Sequence, residues 1–363
     1  MKKLGFGLMR LPLLDANDPV SFDEAQICRM ADAFLAAGFT YFDTAYVYHN
    51  GKSEEMFRKA VAERYPREAF FLADKLPTFC LKEPADVPRI FQEQLDRTGV
   101  TYFDNYLLHC LDTENYAIAE RLDCFAFCLE QKKRGRIRHF GFSFHDTPEL
   151  LDEILTKHPE VEFVQLQINY LDWESEKVQS RRCYETAFRH GKDIIIMEPV
   201  RGGKLAQIPA DAEARLKALE PEMSVPSWAI RFAASLPGTV MILSGMSNFA
   251  QLSDNIGYMK DFRPLTESES KLCLEIGDQI AHQNQIGCTA CHYCTEGCPM
   301  SIAIPEYFAL LNRQADAAEY TALTVENGSA SDCIECGQCE EHCPQHLPII
   351  KLLKKVSAAY EEA

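Results

Sequence analysis

The chain has 363 residues and 41.2 kDa, 47% hydrophobic and 25% charged, which is a globular make-up with ample length for a buried core and neither a disordered nor a collagen-like one. With 37 Lys and Arg against 54 Asp and Glu, its formal charge of −17 repels a phosphate backbone, and no basic run exceeds Lys132-Lys133-Arg134, so nucleic acid is not an expected partner. No apolar stretch follows Lys2-Lys3 and none reaches 18 residues, so the expectation is a cytoplasmic protein with no membrane partner.

From the N-terminus to about residue 245, a short apolar run followed by an amphipathic stretch recurs eight times. The runs Leu4 to Met9, Tyr41 to Thr44, Phe70 to Lys75, Asp104 to His109, Arg138 to Ser143, Phe163 to Ile168, Asp193 to Glu198 and Thr239 to Ser244 read as strands. Helical patterns lie between them at 22–36, 54–62, 85–98, 117–134 and 148–157, with stops at Gly38, Gly99 and Gly135. Eight βα units in a row predict an α/β fold, a closed (β/α)8 TIM barrel over residues 1–265. A doubly wound open sheet alternates in the same way, but no G-x-G-x-x-G follows the first run, and Gly5-Phe6-Gly7 lies inside it.

The ends of the second, third and fourth runs put chemistry at the catalytic rim of such a barrel. Asp43 stands at the first of these ends with Tyr48 five residues later, Lys75 closes the next, and His109 closes the last, in Tyr106-Leu107-Leu108-His109. A phenol of pKa about 10 is a poor proton donor at pH 7, whereas an ammonium beside it favours the phenolate and lowers that pKa. On this reading Tyr48 is a general acid tuned by Lys75, Asp43 keeps Lys75 charged and in place, and His109 donates a hydrogen bond to a substrate carbonyl.

Beyond residue 265 helices continue without strands. Thr266-Glu267-Ser268-Glu269 reads as a capping box opening a helix to about Ala281. Of 15 cysteines, eight crowd between Cys288 and Cys343 in two C-x2-C-x2-C-x3-C-P runs, a pattern of metal ligation in a reducing compartment and not of disulfides. Three cysteines in step wrap one cubane and the fourth, before proline, ligates the other. Cys288, Cys291, Cys294 and Cys343 are therefore assigned to one [4Fe-4S] cluster, and Cys333, Cys336, Cys339 and Cys298 to the second. Four-cysteine zinc sites instead use paired C-x2-C spacings. Helical patterns at 305–323 and 347–360 complete a mainly helical iron-sulfur domain over 266–363, which resembles the dicluster ferredoxin-type domains.

The run Asp43-Thr44-Ala45-x-x-Tyr48, the strand-end Lys75 and Tyr106-Leu107-Leu108-His109 resemble the aldo-keto reductases over about residues 4 to 258, and the whole chain resembles the subgroup with a C-terminal ferredoxin domain. The resemblance implies a catalytic tetrad at Asp43, Tyr48, Lys75 and His109. It places Ser143 and Gln165 where the family hydrogen-bonds the nicotinamide carboxamide and Met197 where an aromatic ring usually stacks, while Phe144 stands where Asn is common. The segment Ser244, Gly245, Met246, Ser247 and on through Gln251, Asp254 and Asn255 resembles the family's dinucleotide loop, with Gln251 in place of the frequent Arg. No Lys or Arg occurs from Ser244 to Tyr258, so a 2'-phosphate meets no cation there and NAD(H) is as well supported as NADP(H).

The implied activity is hydride transfer between a nicotinamide and a small-molecule carbonyl or alcohol, with the two clusters as an electron relay. A hydride carries two electrons and a cluster passes one, so the alternative reading is an electron-transfer or partner-docking protein whose clusters are structural or serve a flavin or a partner redox protein. A radical-SAM barrel needs C-x3-C-x2-C near its first strand, and there is none. Cys110 reads as a buried thiol or a rim thiol, Cys124 and Cys128 as core, His145 as a rim or solvated loop residue, and Glu198 as a second acid or a partner of Arg201 or Lys204.

Overall fold

A computed structural model describes residues 2–281 and 286–361. Eight parallel strands among these residues close a barrel in chain order: β1 (Leu4–Gly7), β2 (Tyr41–Asp43), β3 (Phe71–Pro77), β4 (Phe103–Leu111), β5 (Ile137–Phe144), β6 (Phe163–Gln167), β7 (Asp193–Met197) and β8 (Thr239–Gly245), with β8 pairing back to β1. All eight expected runs form strands, each displaced by no more than a few residues at its ends. Most of their side chains are buried, with Arg138, His139, Asp193 and Val240 among the exceptions, because helices cover the outside while residues such as Tyr41, Leu107, Phe163, Ile195 and Met241 fill the inside.

The helices follow the apolar periodicity, and local chemistry ends them. Asp86–Thr98 stops where Gly99 takes φ +70, a conformation glycine adopts without a Cβ penalty. The single helix expected over 117–134 is two, Thr113–Arg121 and Cys124–Lys133, because Asp123 between them turns left-handed at φ +53. The stretch at 54–62 begins at Ser53, is α-helical to Phe57 and then widens into a five-residue turn over Arg58–Ala62. Cys124 and Cys128 lie in the core.

The chain divides into two compact units, Met1–Val200 with Ala210–Glu275, and Arg201–Pro209 with Ile276–Ala363. The second is built on the helices Ile304–Arg313, Ala317–Thr324 and Ile349–Tyr360, with Ile304, Tyr307, Phe308, Tyr320, Leu353 and Val356 in its core. Tyr307 and Tyr320 meet with ring centres 4.8 Å apart, and the Tyr307 hydroxyl donates to Gly328 O at 2.8 Å. At the start of the helix Glu267–Ala281 the Thr266 amide donates to Glu269 Oε2 at 2.6 Å and the Glu269 amide to Thr266 Oγ1 at 3.3 Å, the reciprocal capping read from the sequence.

Candidate active site and cluster sites

Strand ends bring Asp43, Tyr48, Lys75 and His109 together. Asp43 ends β2, Lys75 lies in β3, and His109 lies in β4 opposite Pro77 of β3. Tyr48 opens a short turn in which His49 and Asn50 are both left-handed. His49 pins that turn, accepting from the Leu11 amide at Nε2 (3.3 Å), so that its proton sits on Nδ1 and is donated to Pro19 O (2.7 Å). Lys75 Nζ donates to Asp43 Oδ1 at 2.7 Å, to Thr44 O at 2.7 Å and to Tyr48 Oη at 3.4 Å, with no part of the lysine exposed. The His109 ring stands edge-on to Tyr48, centres 6.0 Å apart, and Thr78 Oγ1 donates to His109 O at 2.5 Å. After His109, Cys110 takes φ +60 and β4 slips register against β5, which ends the regular strand at the rim. Tyr46 points elsewhere, donating from its hydroxyl to Glu93 Oε2 at 2.8 Å.

The electrostatics depart from the sequence expectation in one respect. Burial raises the Tyr48 phenol above its ordinary pKa, and the opposing pull of Lys75 does not overcome it. The phenol is thus held protonated, not tuned downward. Burial likewise raises Asp43 against the pull of Lys75. For Lys75 burial acts downward, but Asp43 and Tyr48 outweigh it and the ammonium is held charged. Burial, helped by Lys75 and His145, drops His109 well below the usual histidine range, so its imidazole is neutral.

A second buried network lies behind Lys75, and motif reading did not find it. Asp74 Oδ1 accepts from the Lys75 amide at 2.8 Å and from Gln94 Nε2 at 2.9 Å, and the Tyr106 hydroxyl donates to Gln94 Oε1 at 2.5 Å. Glu54 Oε2 accepts from Arg97 at 3.1 Å. The remaining oxygens, Asp74 Oδ2 and Glu54 Oε1, are left to each other, and burial raises both carboxyls. Two carboxyls share a contact of this kind through a proton on one of them. The only signal in the sequence was polar Gln94 and Tyr106 on otherwise apolar element faces.

The residues implied for the nicotinamide are adjacent. Ser143 pairs in register with Gln165 across β5 and β6, the Cys110 amide donates to Ser143 Oγ at 2.7 Å, and Gln165 Nε2 lies 3.5 Å from Met197 Sδ. The Gln165 carbonyl is buried without a hydrogen bond, a position suited to an incoming amide N–H. Gly245 at the end of β8, Ser247 in the loop after it and Gln251 in the helix Phe249–Met259 that follows are exposed. Met246 is packed in the core, Ser244 Oγ accepts from Asn255 Nδ2 at 3.0 Å, and Asp254 accepts from Ser224 Oγ at 2.6 Å. The Gln251 side-chain oxygen accepts from the Ser247 amide at 2.7 Å. The structure adds a cation that the loop's own sequence lacks, since the stem of Arg10 packs on Gly245 and its guanidinium lies 3.7 Å from Glu198.

In the second unit the eight clustered cysteines divide as their spacing requires. Cys288, Cys291, Cys294 and Cys343 line one cavity, and Cys298, Cys333, Cys336 and Cys339 line another. Four thiols around one cavity, the fourth borrowed from the other run, is a donor set that fits a cubane. Apolar side chains wall both, and Ile304 belongs to both walls.

Among the described residues no helix is long and apolar enough to cross a membrane. The barrel is similar to solved structures: an aldo-keto reductase of Bacillus halodurans in its holo form (TM-score 0.61, 24% identity, 76% of this chain and 91% of that one) and an aldo/keto reductase of Klebsiella pneumoniae in complex with NADP and acetate (0.59, 18%, 78% and 93%). In sequence it is 24% identical to an uncharacterized oxidoreductase of Bacillus subtilis, over 66% of this chain and 84% of that protein. It is 31% identical to an aldo-keto reductase of Mycolicibacterium smegmatis over 42% of this chain and 49% of the relative. Residues 3–278 match the aldo/keto reductase family and residues 287–347 the 4Fe-4S dicluster domain, so the chain belongs to the aldo/keto reductase family and carries a C-terminal 4Fe-4S dicluster ferredoxin-type domain.

Proposed function

We propose that the barrel catalyses hydride transfer between a nicotinamide and a small carbonyl or alcohol compound, and that the eight cysteines of the second unit hold two [4Fe-4S] clusters. The observation that carries the first part is the buried Lys75, bonded to Asp43 and in reach of the Tyr48 hydroxyl, with a neutral His109 ring beside it. When bound, the nicotinamide supplies or accepts the hydride and the clusters carry electrons singly. His109, neutral, donates a hydrogen bond that orients the substrate oxygen and leaves no charge to be displaced. Tyr48 holds a proton at its hydroxyl and gives it to that oxygen as alkoxide character develops. A raised phenol still suffices, because an alkoxide is the stronger base. Lys75 stabilises the phenolate left behind, and Asp43 keeps the ammonium in position.

Ser143 and Gln165 support carboxamide binding, and Gly245, Ser247 and Gln251 support the adenosine end. Either NAD(H) or NADP(H) suits a loop with no cation of its own and Arg10 beside it. Replacing Tyr48 by Phe tests the reading: turnover of carbonyl substrates should fall ~10^2-fold or more with nicotinamide affinity almost unchanged. Equal loss of binding and turnover, or greater damage from Tyr46→Phe, would overturn it.

A relay role for the clusters is favoured by Ile304, which stands in the wall of both cysteine cavities and so sets the two sites one side chain apart. Protein made without oxygen and given NADH or substrate with a one-electron acceptor should change its cluster absorbance and EPR signal. Spectra that never change identify the clusters as structural.

A further inference from the structure

Nine residues that follow β7 in sequence, Arg201–Pro209, belong to the iron-sulfur unit, and the first of them is a cation. Arg201 is 9% exposed. Its Nη1 donates to Gly287 O at 3.1 Å, the residue before Cys288, and its Nη2 lies 3.5 Å from Gln345 Oε1, two residues after Cys343. Gln345 and Thr289, both buried, line the cavity of Cys288, Cys291, Cys294 and Cys343. The backbone is shaped for this approach. Arg201 is left-handed at φ +49 and Gly202 follows at φ +63, so close to the Thr289 carbonyl that a Cβ on Gly202 would lie 2.5 Å from its oxygen. A non-glycine residue held in that conformation, and a glycine that must remain one, are features a loop keeps when its position matters.

The other cavity is different. Its lining of Met300, Ile302, Ile304, Ile334, Ile350 and Leu353 beside the four cysteines is apolar, and the nearby charges Glu335 and Lys354 pair with each other at 2.8 Å on the surface. The potential of an iron-sulfur cluster depends on net charge, on hydrogen bonds around its sulfurs and on exposure. A buried guanidinium favours the reduced form, which carries one more negative charge.

Resting on the assignment of the eight cysteines to two clusters, we propose that Arg201 is a positioning residue that raises the reduction potential of the cluster held by Cys288, Cys291, Cys294 and Cys343 and leaves the other unaffected. The two sites are thereby unequal, and the electron of a half-reduced protein rests beside Arg201.

The test is an EPR-monitored redox titration of the full chain, prepared without oxygen, as wild type, Arg201→Gln and Arg201→Lys, with iron and sulfide measured in each sample. Cys291→Ser and Cys336→Ser mark which signal belongs to which site. Arg201→Gln should shift the reduction equilibrium of the Cys291-marked cluster tenfold or more toward the oxidised form, about 59 mV for one electron, and leave the Cys336-marked cluster in place. Arg201→Lys, which keeps the charge, should retain most of the wild-type potential. An Arg201→Gln protein with full iron and sulfide and two unchanged potentials overturns the proposal. If Arg201→Gln loses a cluster, Arg201→Lys decides, because a potential far from wild type there means that packing and not charge is at work. Wild type without two clusters overturns the cysteine assignment itself, and this proposal with it.

Discussion

Glu54 and Asp74, distant in sequence, face each other as two buried carboxyls directly behind Lys75. Such a pair costs stability once it must ionise. Burial raises both groups in the fold, whereas in the unfolded chain they ionise near pH 4. Below about pH 4 both states are protonated and the contribution of the pair is fully present. As pH rises, the unfolded chain loses protons first and stability declines, by up to about 1.4 kcal/mol per pH unit for each proton that only the fold retains. Asp74→Asn places an amide where the protonated carboxyl stood and keeps the acceptor used by Lys75 and Gln94. Its melting temperature should fall less than that of the wild type between pH 5 and 8. Parallel curves would refute the shared proton.

Removing one partner of a buried ion pair strands the other. Lys75→Met leaves Asp43 without its countercharge and should cost about 3–5 kcal/mol in urea denaturation, besides lowering kcat/KM ~10^2-fold or more. Adding Asp43→Asn should recover most of the stability and none of the activity. Recovery of both would make the pair structural only.

His109 should not titrate in the working range. Burial, Lys75 and His145 lower its pKa well below that of the unfolded chain, so the folded ring resists protonation. The contribution to stability is fully present above about pH 6.5 and is lost as pH falls from there toward the folded value. The pH profile of kcat should show no break near 6.5 that disappears in His109→Gln.

Both reduced nucleotides should bind within about tenfold of each other, measured by fluorescence titration, since Gln251 turns its oxygen to the Ser247 amide and offers no charge to a 2'-phosphate. Gln251→Arg should improve NADPH binding by about 1–2 kcal/mol relative to NADH. A hundredfold preference for NADPH in the wild type would mean that another cation reaches the phosphate. Arg10, packed on Gly245, is the residue whose replacement by Ala should then abolish that preference.

Strand positions were legible because each barrel strand is a short apolar run bounded by turn residues, and all eight form. The grouping of the clustered cysteines was legible because their spacing sets the first three of each run with the last of the other, and the two cavities are lined by those same sets of four. What local pattern cannot carry is burial and long-range approach. The direction of the Tyr48 shift depends on desolvation exceeding the pull of Lys75, which follows from the closed rim and not from the spacing of Asp43 and Tyr48. Glu54 beside Asp74, Arg10 on Gly245 and Arg201 beside Gly287 are each pairs distant in sequence, and in every case a charged residue on a loop or helix carried no motif of its own. The break at Asp123 was missed because Asp tolerates a left-handed turn without glycine to announce it.

The iron-sulfur unit is discontinuous, with Arg201–Pro209 separated from the rest by Ala210–Glu275. During synthesis its first nine residues leave the ribosome ahead of the remainder by the whole of Ala210–Glu275, so this unit cannot close until that part of the barrel has been made. A tail made separately from Ile276 onward lacks a piece of its own unit, including the guanidinium beside Gly287. Transplanting that tail to another protein therefore transfers the cysteines without the loop that packs on them.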